Sequence, residues 1–194
     1  MTLPLEPAAP PAGFAAALQD LHAELARPAR PGLELRTVPA PTRMAPHAVT
    51  VAADVEVVGG AVASGRFVVL HDPAGQDGWS GCTRVVAFVS SEVESEMAAD
   101  PSLGGVGWSW LTDALDDHDA RHVAAGGTVT RTVSTRFGQI AEPEDESEVE
   151  VRASWTAVED DGRPDLVAHL RAWCDLLCAT AGLPPAGTTA LRPR

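Results

Sequence analysis

The densest grouping of chemically capable side chains is the stretch LHDPAGQDGWSG, residues 70–81. It holds the imidazole of His71, the carboxylates of Asp72 and Asp77 and the ring of Trp79, with the guanidinium of Arg84 soon after. An imidazole titrates near neutrality and serves as a general base once a carboxylate orients it, while an arginine can hold an anionic substrate. On a loop at a strand end, this set points to a small-molecule-binding domain or a modest hydrolase. The same letters also spell a plain turn, in which Asp72 caps and Pro73 and Gly75 supply the bend.

Other groupings carry less chemistry. His118 and His122 stand four apart, and on one helix they would align two imidazoles beside Asp116, Asp117 and Asp119 as metal ligands. Arg121 and the pair Gly126-Gly127 read instead as a helix ending in solvent, so no metal is expected. Cys174 and Cys178 share the spacing but lie among Leu and Trp, where a thiol is packing material rather than a nucleophile. Cys82 has no base beside it in the sequence, and three cysteines without knuckle spacing suit neither a disulfide framework nor a structural zinc site. No G-x-S-x-G, H-E-x-x-H or P-loop pattern occurs.

What is missing narrows the chemistry further. The chain has no Lys, no Asn and no Tyr. Schiff-base and pyridoxal-phosphate chemistry, the P-loop lysine and the kinase lysine all need an amine the chain lacks. Phenol acid/base catalysis and Asn-based oxyanion holes fall with Tyr and Asn. No cofactor is expected, and a non-catalytic role is favoured over an enzymatic one.

The segment GWSWLTDAL, residues 107–115, suggests what that role is. Trp108 and Trp110 point about 200° apart on a helix and cannot both face one core. Tryptophan is enriched at binding hot spots because it buries a large area at low entropic cost. Trp108 and Trp110, with Asp113 one turn on, are therefore candidates for partner binding; the plainer reading leaves Trp108 packed inward at the helix entry. A protein partner is expected, with a homodimer as one form of it.

Charge decides against other partners. Fourteen basic residues face 27 acidic ones, a net charge of -13. Binding that depends on counterion release needs a dense cationic surface, so nucleic acid is disfavoured, Arg131, Arg136 and Arg152 notwithstanding, as is an anionic membrane. The acidic stretches Asp113–Asp119 and Glu142–Glu150 read as solvated surface, or as a face for a basic partner. The start has no signal-peptide pattern, and no run reaches the about 18 apolar residues of a membrane span, so a cytoplasmic address is expected.

The elements that must position these residues follow from periodicity. Phe14, Leu18, Leu21 and Leu25 make a helical stripe, and Leu33–Val38 reads as a short edge strand. Residues 48–57 alternate with a period of two, Val58–Ala61 turns, and Val62–His71 runs back as a hairpin partner. Thr83–Ser90 is a third strand, and a helix runs from Val106 or Trp108 to about His118, with the glycines before it allowing only a turn. Thr128–Phe137, with Val129, Val133 and Phe137 on one face, and Glu148–Val158 read as two more strands. A final helix spans Asp165 to about Ala181, stopped by Gly182 and Pro184. The expectation is a single α+β domain over residues 13–183, an antiparallel sheet of about five to six strands with three helices mainly on one face. A flexible lead-in, 1–12, and a flexible tail, 184–194, flank it. The order of elements is similar to that of type III secretion chaperones, which are small, acidic and bind another protein.

Four segments carry a closer likeness: LHDPAGQDGW from Leu70, SEMAADPSLGGVGWSWLTDAL from Ser95, VRASWT from Val151 and WCDLLCATAGLP from Trp173. Together they resemble the actinobacterial family Domain of Unknown Function 3000 over nearly the whole chain. That resemblance implies a bacterial cytoplasmic protein and carries over no catalytic residue, since the family has no assigned activity.

Overall fold

The computed structural model describes residues 9–56, 62–140 and 145–183. Alternating small and β-branched residues build the sheet first. Strands β1 (Leu33–Val38), β2 (His47–Glu56), β3 (Val62–His71) and β4 (Thr83–Glu92) run as an antiparallel meander, with Val51 opposite Phe67 and Phe67 opposite Ala87. The chain then crosses through two helices, α2 (Ser95–Ala99) and α3 (Leu103–Asp117), to the far edge as β5 (His122–Ser134). Strand β6 (Glu146–Ala157) returns between β4 and β5, giving the order β1-β2-β3-β4-β6-β5. A small ribbon, β7 (Glu159–Asp160) with β8 (Arg163–Pro164), leads into the last helix, α4 (Leu166–Thr180).

One sheet face is dry because every second residue on it is apolar. Val51, Val55, Phe67, Val69, Val85, Val89, Val151 and Trp155 meet a layer made by α1 (Ala12–Leu25), α3 and α4. Helix α4 buries Leu166, Leu170, Trp173 and Leu177, and Asp165 caps it by accepting from the Ala168 N–H at 3.0 Å. The Trp173 ring lies 5.6 Å from that of Phe67 and directly over Gly65. Trp108 of α3 similarly rests on Gly127 of β5, and Val129 fills the space beside Gly107. A helix layer can approach this closely only because the strand beneath lacks a Cβ at those points.

The opposite face carries alternating polar residues, among them Arg66, Glu92, Thr130, Thr132, Glu146, Glu148 and Arg152. Arg84 stands on this face as a cross-strand staple: its guanidinium donates to Ser154 Oγ at 2.6 Å, to Thr156 Oγ1 at 3.1 Å and to the Ala124 carbonyl at 3.0 Å. Ala124 has φ 52° and sits in a bulge between Val123 and Gly126, so Arg84 holds a kink that the chain would otherwise resist.

The α+β architecture with three long helices on one side of a six-stranded antiparallel sheet is as the periodicity indicates. Several boundaries differ. Helix α3 starts at Leu103, running through Gly104, Gly105 and Gly107 where only a turn was expected; buried Leu103 and Gly107 hold that first part against the sheet. His122 belongs to β5 and not to the helix of His118, so the two imidazoles are not aligned on one face. Strand β5 begins six residues earlier than expected and stops at Ser134; Val129 is half-buried, but Val133 and Phe137 are 52% and 77% exposed, since only the short α2 packs near that end of the edge strand. Helix α2 and the β7–β8 ribbon are too short to announce themselves by periodicity. The Val58–Ala61 turn, the tail 184–194, most of the 1–12 lead-in and part of the Glu142–Glu148 connection lie outside the described residues. No helix among the described residues is long and apolar enough to cross a membrane.

Candidate functional site

Helices α3 and α4 leave between them a groove of about 400 Å³. Trp110 and Ala114 of α3, Ala179 of α4 and Leu183 give it apolar walls. Asp113 and Asp117, one turn apart on α3, and Asp175 on α4 add three carboxylates, with Arg30 the single cation of the lining among the described residues. His118, which caps α3, holds Asp175 from the side, its Nε2 2.7 Å from Asp175 Oδ2.

The helix geometry deepens the negative character. Asp117 is the last residue of α3, and Gly182 and Leu183 follow directly on α4, so the carbonyl ends of both helices border the groove. Each such end carries a partial negative charge, and neither helix has a basic residue in its last turn. Burial raises the proton affinity of the Cys178 thiol, with Arg30 opposing the rise, and burial pushes that of Cys174 higher still. Burial thus favours the protonated thiol at both sulfurs, and the groove sets three carboxylates beside an apolar wall.

The residues marked by sequence divide between two sides of α3. Trp110 and Asp113 line the groove. Trp108 turns the other way, half-buried against Gly127 of β5. Asp117, marked by sequence as a candidate metal ligand and as part of the Asp113–Asp119 acidic run, lines the groove instead, and Asp175, Arg30 and Leu183 join it without having been singled out.

The loop after β3 is arranged differently. His71 is 2% exposed and faces the helix layer, its ring stacked on Phe14 at 4.1 Å. Its Nδ1 lies 2.8 Å from Thr83 Oγ1, which donates its only proton to Glu159 Oε1 at 2.7 Å. The hydroxyl must then accept from His71, which places the imidazole proton on Nδ1 and leaves the buried Nε2 without a partner among the described residues. Burial lowers the proton affinity of His71, with Glu159 opposing. Asp72 closes the turn by accepting from the Ala74 N–H at 3.0 Å, and Asp77 is exposed to solvent. The Trp79 carbonyl accepts from Thr156 Oγ1, and Arg84 projects from the opposite sheet face. The structure thus does not gather His71, Asp72, Asp77, Trp79 and Arg84 into one pocket.

The three arginines Arg131, Arg136 and Arg152 are each engaged within the protein. Arg131 donates to the Ala98 and Asp100 carbonyls, Arg136 pairs with Glu146 and Arg152 with Glu150. Among the described residues, no three His, Cys, Asp or Glu side chains converge closely enough to hold a metal ion.

No curated protein and no solved structure matches the chain. A family model described as "Protein of unknown function (DUF3000)" matches residues 10–189, which takes in α1, the whole sheet and both walls of the groove. The chain therefore belongs to the DUF3000 family.

Proposed function

We propose that this protein is a non-catalytic interaction module, chaperone-like in the sense that it holds a segment of another protein, and that the α3–α4 groove is where it does so. The segment it fits is basic and partly apolar: a Leu or Met side chain against Trp110, with arginine or lysine heads at Asp113, Asp117 and Asp175. The observation that carries this reading is the placing of three carboxylates and two helix carbonyl ends around one tryptophan wall. Guanidinium groups form forked hydrogen bonds with carboxylates and also stack on indole faces, so an arginine beside an apolar residue meets both halves of the groove. A reducing compartment such as the bacterial cytoplasm suits a chain whose three cysteines are free thiols.

The experiment is a titration followed by tryptophan fluorescence, using an acetylated Leu-Arg-Leu-Arg amide as probe and Leu-Glu-Leu-Glu as its control. Saturable binding of the basic peptide that weakens with salt and is lost in Asp113→Asn/Asp117→Asn supports the reading. Equal response to both peptides, or binding unchanged in that variant, rejects it.

A further inference from the structure

We propose that the protein forms a twofold dimer by pairing β5 with β5 of a second copy, extending the two sheets into one of twelve strands. This rests on the edge of the sheet and is independent of the groove.

The two edges of the sheet are built differently. The β1 edge is six residues long, carries Glu34 and Arg36, and runs into Pro39 and Pro41, which are the usual means of blunting an exposed strand. The β5 edge is 13 residues long and contains no proline, and among the described residues no strand lies beyond it. Its outward row of backbone groups is thus open over about 40 Å at the usual rise per residue. An unprotected edge of that length is a template for another strand.

Charge selects a second copy as the occupant. The chain carries 27 acidic residues, yet residues 120–141 contain no Asp or Glu. Two copies of a molecule with net charge -13 repel each other over most of their surfaces, and along this edge they can approach without opposed carboxylates. Arg131 does not obstruct it, because its side chain turns toward α2 and is held by backbone carbonyls.

The strand is also complementary to itself. Past its bulge β5 is regular from Gly126 to Ser134, and the midpoint of that run is Thr130. A twofold axis there opposes Thr130 to itself, Thr128 to Thr132 and Gly126 to Ser134, all small or hydroxyl-bearing and all on the polar face; Thr–Thr cross-strand pairs are favourable. On the other face Val133, 52% exposed, comes opposite Gly127 of the second copy, against the half-buried Trp108 ring that rests there. The dimer so covers an exposed valine and completes the burial of a tryptophan.

Three variants and the wild-type chain test this. Sedimentation equilibrium of the full chain from 1 to 100 µM is expected to give twice the chain mass, and Thr130→Glu, which sets two carboxylates face to face on the axis, to give the chain mass with an unchanged circular dichroism spectrum. Under mild oxidation Thr130→Cys is expected to cross-link, since residues directly opposite in antiparallel strands bring Cα atoms within disulfide range. Thr128→Cys alone is expected not to, because it faces Thr132. A wild-type chain that stays monomeric across that range, a dimer that survives Thr130→Glu, or equal cross-linking of the two cysteine variants overturns the proposal.

Discussion

Thr83 and His71 are bound through a hydroxyl that has one proton to give and gives it elsewhere. Because Thr83 donates to Glu159, the imidazole is fixed as the Nδ1–H tautomer at the cost of a buried, unpartnered Nε2. The arrangement ties the end of the β3–β4 hairpin to the β7–β8 ribbon. It is an inverted order for catalysis, since the hydroxyl lies between the base and the carboxylate and is wholly buried.

Thr83→Val keeps the shape and removes the link, leaving His71 Nδ1 and Glu159 without their partner. Groups stranded in this way cost about 1–3 kcal/mol each, so a loss of about 3 kcal/mol in urea denaturation is expected. A loss below 1 kcal/mol would show that the hydroxyl does not bridge the two.

Acid destabilises the fold through its buried histidines. His169 accepts from Trp155 Nε1 at 3.1 Å, and burial lowers its pKa from 6.5 to about 4, with His122 adding to the shift and Asp165 opposing it. The folded state then binds fewer protons than the unfolded one between those values, so stability is complete above pH 6.5 and falls as pH drops toward 4. Burial of His71 acts in the same direction. His169 alone accounts for about 3 kcal/mol at one pKa unit per 1.36 kcal/mol. Denaturant midpoints measured from pH 7.5 to 4.5 are expected to decline over this window; a flat profile contradicts the account.

The groove is expected to be better for binding than for stability. Asp117 sits at the carbonyl end of α3, where a negative side chain is unfavourable. Asp117→Asn should raise the melting temperature, with a gain of about 0.5 kcal/mol, while weakening the basic probe peptide. A variant that loses both stability and binding would place Asp117 in the architecture instead.

Gly65→Ala tests the sheet–helix fit. Its Cβ would lie 2.8 Å from both Trp173 Cζ2 and the Phe88 carbonyl oxygen, and the latter is backbone that cannot swing away. Overpacking of this kind costs about 1–3 kcal/mol, and denaturation should find it at the upper end. A neutral substitution would mean that α4 can lift from β3.

The meander and α4 were legible because their apolar residues keep one period from end to end. Strand β5 was only half legible. Its bulge at Ala124 shifts the inside-outside alternation, so the first part no longer continues the pattern that starts at Thr128. Helix α3 was read short because glycine is a poor helix former in isolation, and tertiary packing at Leu103 and Gly107 overrides that preference. Of the groove, Trp110 and Asp113 stood out, since two tryptophans two residues apart cannot share a face. Asp175 and Arg30 did not: they come from α4 and from the segment before β1, and only the fold brings them beside α3.

The late insertion of β6 between β4 and β5 fixes an order of events during synthesis. Until residues 146–157 have left the ribosome, β4 has no neighbour on one side and β5 has none at all. The nascent chain therefore carries β4 open on one side and β5 open on both while α4, which seals the dry face, is still to be made. The β1–β4 meander is complete by Glu92, but the long-range β4–β6 pairing and the β5–β6 pairing wait for residues 146–157, so products truncated before them would be sticky intermediates rather than smaller versions of the domain.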